Sequence, residues 1–478
     1  MVRPLTSIRK NPRRSRNKAK NHMPDSTNPP APIGPWVRRF FSAMDKAELP
    51  WAVLRGAEGL PDDTRYDIDL LVAPGVIDRA ESLLHEAAAA ENWKLIRIID
   101  KYRYRCCLMI SPGPHRRYVP VDLFGECLHR HVPMADSAYG LAVAKHNAGG
   151  VKVVPPGFGA AVALIKELAR HPAFKENSRD EVKAGAAEDM ESFRRAADGV
   201  LGPELCGRLA EAARSGNWGQ VESLAPAIRD ALRKHRSLAS AEGLRFLKGA
   251  LLHTIRPPMS AFVVMLGPDG SGKSTIADQV AERLYKRPFK ICPRFEYQFR
   301  IVPELKRIKH AIARLLGKKP PSQPAIEPGT HGSGMNRDHP MLIGMAYVTY
   351  YAFDFILGHL TIRKLRSQGG AVMFARYFYD YHYQLGYRNV PRWYLRLLER
   401  LIPKPDLVIY LERDANEIFQ DKPELDVEEI SRQQNVIRRL VAERSHACTV
   451  DASCGIEGTV EEVRGRVERI FLSRHGIG

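Results

Sequence analysis

Nine residues constrain this chain more than any other feature: Gly267-Pro268-Asp269-Gly270-Ser271-Gly272-Lys273-Ser274-Thr275. They follow an apolar run at 261–266 and precede a stretch of helical period that reaches about residue 285. The spacing G-x-x-x-x-G-K-[ST] has a physical purpose. Backbone N–H groups wrap a phosphate closely only where side chains are absent and unusual dihedrals are allowed, and glycine supplies both. A helix that starts straight after the loop aims its positive end at the same anion. Lys273 brings a point charge to the β- and γ-phosphates, and the Ser274 hydroxyl is of the kind that ligates Mg²⁺. Gly267, Asp269, Gly270, Ser271, Gly272, Lys273, Ser274 and Thr275 are thus the expected phosphate-binding residues.

Beyond the loop, apolar runs at 371–374, 407–411 and 449–450 alternate with helical pattern. That alternation is expected of a parallel sheet flanked by helices, so residues 257–478 read as an α/β P-loop NTPase region that uses ATP and Mg²⁺. The 478 residues exceed what one core holds. Residues 1–35 are basic, then Pro-rich, and are expected to be disordered; Met23 is a second candidate start. Residues 36–150 mix helices (37–47, 77–91) with strands (51–55, 66–72, 93–98, 104–110, 119–124), giving an α+β region. Residues 151–256 carry helical period only, and Arg256-Pro257-Pro258 is the expected boundary.

Net charge is +19, and residues 1–22 hold eight Lys/Arg with no acid. Such a balance suits phosphorylated ligands, nucleic acid or an anionic surface and chooses among none of them. No nucleic-acid-binding module is recognisable, so nucleic acid is not an expected partner. The seven cysteines form no CxxC pair, which points to a reducing, cytoplasmic setting; Cys127-x-His129-x-His131 is too sparse for a structural zinc site. The apolar stretch 341–360 contains Asp354 and His359 and reads as a buried amphipathic helix, with no membrane partner expected.

Four segments resemble the thymidylate kinases and their bacterial thymidylate kinase-like relatives. They are the glycine loop; Tyr350-Tyr351-Ala352-Phe353-Asp354-Phe355 with Gly358; Arg376-Tyr377-Phe378-Tyr379-Asp380; and Pro403-Lys404-Pro405-Asp406 running into the 407–411 strand, followed by Lys422-Pro423-Glu424-Leu425. The likeness spans about 259–472, under half of the chain. It implies that Lys273, Asp269, Arg376 and Lys422 are catalytic: Asp269 beside the acceptor nucleotide, Arg376 on the acceptor phosphate, Lys422 in a lid over ATP. It also implies that Asp451, in Asp451-Ala452-Ser453, lies near the adenine, that a nucleotide is the substrate, and that a homodimer is compatible with the family. The chain departs from the pattern twice. Ala375 replaces the acid before Arg-Tyr, and Asp421 stands where the lid usually has Arg. Two functions therefore stay open: phosphoryl transfer to a nucleotide or nucleotide-like acceptor, or an ATP-binding regulatory module with a degenerate kinase site. The basic segment 286–340 reads equally as an acceptor site or a solvated cover.

Arg55-Gly56, then Asp67-Ile68-Asp69, then Val121-Asp122-Leu123 resembles the nucleotidyltransferase fold. Acids two apart on a strand share a face. With Asp122 from a neighbouring strand, Asp67 and Asp69 are the expected metal ligands on a nucleotide triphosphate. The small-residue pair after the first strand reads Gly56-Ala57, without the serine hydroxyl of the pattern.

Overall fold

The computed structural model describes residues 31–64, 67–113, 116–235, 241–255, 260–285, 288–296, 299, 301–302 and 339–477. The basic tail, the Arg256-Pro257-Pro258 boundary and most of 286–340 lie outside the described residues.

The first region is built on β1 (Trp51–Arg55), β2 (Ile68–Val72), β3 (Lys94–Lys101), β4 (Tyr104–Ile110) and β5 (Tyr118–Phe124). Two short strands, β6 (Leu128–His129) and β7 (Val132–Pro133), pair with each other, and β8 (Lys145–His146) and β9 (Lys152–Val153) return to the main sheet. Its order is β3-β4-β5-β2-β1-β9-β8. Parallel pairing of β2 with β5 sets Asp69 opposite Asp122. The sheet runs on to Val153, so the boundary expected at 150–151 falls within the β8–β9 hairpin.

Period-two alternation decides what each face meets. Ile68, Leu70, Val72, Val119, Val121 and Leu123 pack against the helices Gly34–Lys46 and Ile77–Ala90. The other face is shared. Ala52, Leu54 and Leu71 lie in the core of the helical region that begins with Pro156–Leu168. Ile96, Ile98, Cys106, Leu108 and Ile110 belong to one continuous core with the C-terminal region, beside Val263, Phe289 and Phe471. Asp69 and Asp122 alternate with the residues of the first face, so they emerge where all three regions meet.

The C-terminal sheet holds β10 (Phe262–Leu266), β11 (Arg294–Phe295), β12 (Val372–Phe374), β13 (Leu407–Glu412) and β14 (Ala447–Asp451), in order β11-β12-β10-β13-β14, every pair parallel. Successive residues of β10 bury into opposite cores, Val263 and Met265 into one, Phe262, Val264 and Leu266 into the other. Covered on both faces, β10 reads as an unbroken apolar run.

The helix Met341–Arg366 corrects one expectation. It is buried along one face only, through Val348, Ala352, Phe355 and Ile362, while Leu342, Phe353 and Leu360 are exposed (Leu360 by 69%). Its apolar residues run all round, so packing one face leaves the rest outside. By length and composition it is apolar enough to cross a membrane, with 33% of its most apolar window buried. Its buried Asp354 accepts the backbone N–H groups of Phe299 (2.7 Å), Ile301 (2.7 Å) and Val302 (3.0 Å), and the Phe299 ring fills the notch left by Gly358.

The helix Pro156–Leu168 meets the helix Met190–Leu201 backbone to backbone at Gly157, where an added Cβ would strike the Asp189 carbonyl and lie 2.9 Å from the Phe193 nitrogen. Neither atom can rotate away, so Gly157→Ala is expected to destabilise the protein by about 1–3 kcal/mol. Thermal denaturation checks this; an unchanged midpoint would show that the contact is loose.

Candidate functional site

β10 stops at Leu266, and the chain folds over the sheet edge before the helix Lys273–Leu284 begins. Gly270 and Gly272 take φ of +93° and +83°, a region that side chains disfavour. At Gly270 a Cβ would also sit 3.2 Å from both Ile418 and Lys422, so the loop and the 415–422 segment touch closely. β12 and β13 flank β10, and their C-terminal ends open beside the loop, delivering Arg376 and Arg413. Parallel sheets bind ligands in this crevice.

The sequence-predicted residues converge there unevenly. Lys273 is 5% exposed and its ammonium donates to the carbonyls of Gly267 and Pro268, both at 2.6 Å. Burial lowers its pKa, against the pull of Asp269. Asp269 lies 3.8 Å from Lys273 and pairs with Arg376 at 2.6 Å. Ser274 and Thr275 are exposed on the first helical turn, whereas the Ser271 hydroxyl is buried with no hydrogen-bond partner among the described residues. Lys422 is partly exposed and pairs with Glu424 at 3.1 Å. Asp451 ends β14, two strands from the loop, and accepts the Ser453 N–H at 2.8 Å.

Both departures noted in the sequence have local partners. Ala375 is fully buried in the core beneath the crevice. Asp380, five residues on, brings a carboxylate into the site from the turn Phe378–His382. It is 1% exposed, its Oδ1 has no hydrogen-bond partner among the described residues, and its charged neighbours are Lys273, Arg376 and Asp269. Burial pushes its pKa up to about 6, although Lys273 and Tyr383 draw it down. The Tyr383 hydroxyl reaches the Gly267 carbonyl at 3.3 Å, and its own carbonyl accepts from Arg432 at 2.7 Å. Asp421 is not a bare anion at the lid, because Arg413 from the end of β13 pairs with it. Arg388, Arg432, Glu424 and Glu429 line an adjoining cleft of about 570 Å³. A larger cleft of about 760 Å³ lies in the N-terminal region, lined by Asp45, Pro74 and Ser137 among others, and contains none of the predicted site residues.

The N-terminal acids are gathered, but around a lysine. Lys290, from the C-terminal region, donates to Asp67 Oδ2 at 2.6 Å and Asp122 Oδ2 at 2.9 Å. Asp69 accepts from Arg55 at 3.2 Å. Among the described residues no three His, Cys, Asp or Glu side chains are grouped to hold a metal ion; Asp67 and Asp122 pair with Lys290, and Asp69 with Arg55. Burial opposes the charge on Lys290, but Asp122 and Asp67 outweigh it and hold the amine well into its protonated range. Nothing in the sequence marked Lys290. Asp380 stood in plain view inside a quoted motif, yet only the fold turns it inward.

No protein-family model matches this chain, and no curated protein matches it. Among solved structures, thymidylate kinase from Candida albicans is similar at 17% identity and a TM-score of 0.31, over 44% of this chain and 92% of that one.

Asp380 yields a signed pH dependence. Its folded pKa, about 6, lies above the ordinary value of 3.8, so the folded state holds this proton more tightly. Stability is therefore greatest below pH 4 for this group and falls as pH rises to about 6, by up to about 3 kcal/mol. Asp380→Asn is expected to raise the unfolding midpoint at pH 8 and to leave it little changed at pH 4. Equal effects at both values would show that Asp380 is not held against ionisation.

Proposed function

We propose that the C-terminal region is a P-loop kinase that transfers the γ-phosphoryl group of ATP to a nucleotide or nucleotide-like acceptor. One observation carries this reading: a glycine loop with its lysine lies at the C-terminal edge of a central parallel strand, and Asp269, Arg376 and Asp380 meet there. Phosphoryl transfer needs positioning and charge more than a strong base, which is what this set provides.

The loop amides and the helix start receive the β-phosphate. Lys273 exchanges its two carbonyl partners for β- and γ-phosphate oxygens. The exposed hydroxyl of Ser274 and the buried, unpartnered oxygen of Asp380 are of the donor type Mg²⁺ takes, so these residues would hold it. When bound, Mg²⁺ neutralises phosphate charge. Arg376, oriented by Asp269, faces the acceptor, for which the adjoining cleft offers room; Arg388 and Arg432 stand there among Glu424, Asp426, Glu428 and Glu429, so the positive charge comes from Arg376. An acceptor oxygen attacks the γ-phosphorus, the bond to the β-bridging oxygen breaks, and ADP leaves. Lys422 and Arg413 on the 413–422 segment lie where they would close over the nucleotide and exclude water.

A second reading draws on Ala375: ATP binds and alters the relation between regions without transfer. The N-terminal likeness to nucleotidyltransferases is kept to the fold, since its acids are occupied by Lys290.

Purified full-length protein, assayed for ADP release with ATP–Mg²⁺ against a panel of nucleoside monophosphates, separates these readings. The kinase predicts release that depends on one acceptor class. Lys273→Ala should reduce it on the order of 10²–10³-fold, as for loss of a preorganised charge. ATP binding with no turnover of any acceptor would favour the binding module.

A further inference from the structure

The resemblance to nucleotidyltransferases asks for a metal ion among Asp67, Asp69 and Asp122, and the structure disagrees. We propose that the ammonium of Lys290 is the built-in cation of this acidic seam, standing where a divalent ion would stand and closing the seam to metal.

Lys290 reaches two of the three carboxylates directly, and its side chain is only 15% exposed. The third, Asp69, is neutralised by Arg55. Asp122 is 6% exposed, and its Oδ1 has no hydrogen-bond partner among the described residues. The Tyr104 hydroxyl and the Cys106 thiol are its other close polar neighbours. An uncompensated buried carboxylate costs several kcal/mol and is relieved by a proton or by a cation; burial favours the proton on Asp122, and Lys290 opposes that as the cation at hand. Lys166 of the helical region is half-buried nearby and feels Asp69 and Asp122.

The backbone explains why the lysine cannot simply drift away. Phe289, the preceding residue, is 1% exposed in the core shared by the two sheets. Lys290 N–H donates to the Gly369 carbonyl at 3.0 Å, and Ala371 N–H donates to the Ile291 carbonyl at 3.0 Å. The lysine is thus clamped at the base of β11 and β12, at the N-terminal ends of the parallel strands. The glycine loop lies at their C-terminal ends. The acidic seam and the phosphate crevice therefore open at opposite edges of one sheet and cannot share a substrate.

The test uses full-length protein without nucleotide, with Mn²⁺ as the probe. Wild type is expected to take up no Mn²⁺ that depends on Asp122. Lys290→Met keeps the stem and removes the charge. It should unfold at lower temperature in EDTA, gain one Mn²⁺ site at least tenfold tighter than any in wild type, and recover its midpoint when Mn²⁺ is added. The double variant K290M/D122N removes the lysine and its main partner together. It should be more stable than K290M in EDTA and should bind no added Mn²⁺. Uptake of Mn²⁺ by wild type that D122N abolishes would overturn the proposal. So would a K290M that neither binds Mn²⁺ nor is stabilised by it. If K290M does not fold in EDTA, its recovery in Mn²⁺ supports the proposal, and failure in both media, with the double variant no better, refutes it.

Discussion

The site depends on one arrangement: a buried ammonium, Lys273, seated on the carbonyls of Gly267 and Pro268 in the glycine loop. Burying that charge is unfavourable and depresses the lysine's pKa. The carbonyls and Asp269 offset the cost. A polyphosphate would offset it more fully, since it brings opposite charge to a place where water no longer screens. The strand order brings Arg376, Arg413 and Asp380 to the rim of this loop.

The two regions are joined as one packed body through the shared core of Ile96, Leu108, Val263, Phe289 and Phe471. Two polar sites sit at opposite edges of the C-terminal sheet, and they solve the same problem differently. At one edge Lys273 sits on backbone carbonyls beside Asp269. At the other Lys290 sits between Asp67 and Asp122. The crossover that leaves the helix Lys273–Leu284 and enters β11 runs through both, so the first βαβ unit ties the phosphate crevice to the acidic seam by covalent chain.

Much of this was legible before folding. The glycine spacing fixed the loop, and apolar runs with the right neighbours gave β10, β12 and β13 within a residue or two. Period two put Asp67 and Asp69 on one face, and the pairing of β2 with β5 set Asp122 level with Asp69. What stayed hidden was contact between distant segments. Lys290 lies 168 positions from Asp122, and a lone lysine in a basic stretch carries no local signature. Asp380 was visible as a residue, but its direction depends on the turn Phe378–His382 folding back onto the loop. The helix Met341–Arg366 was misjudged because composition gives apolarity without saying how many faces find a partner.

A single calorimetric titration addresses the claim most directly. Full-length protein with Mg²⁺ at neutral pH is titrated in turn with ATP, ADP and AMP. The proposed grip of the loop amides and Lys273 on the β- and γ-phosphates predicts that ATP binds once per chain and more tightly than ADP, and that AMP scarcely binds. AMP as tight as ATP, or no binding of any of the three, would contradict the account.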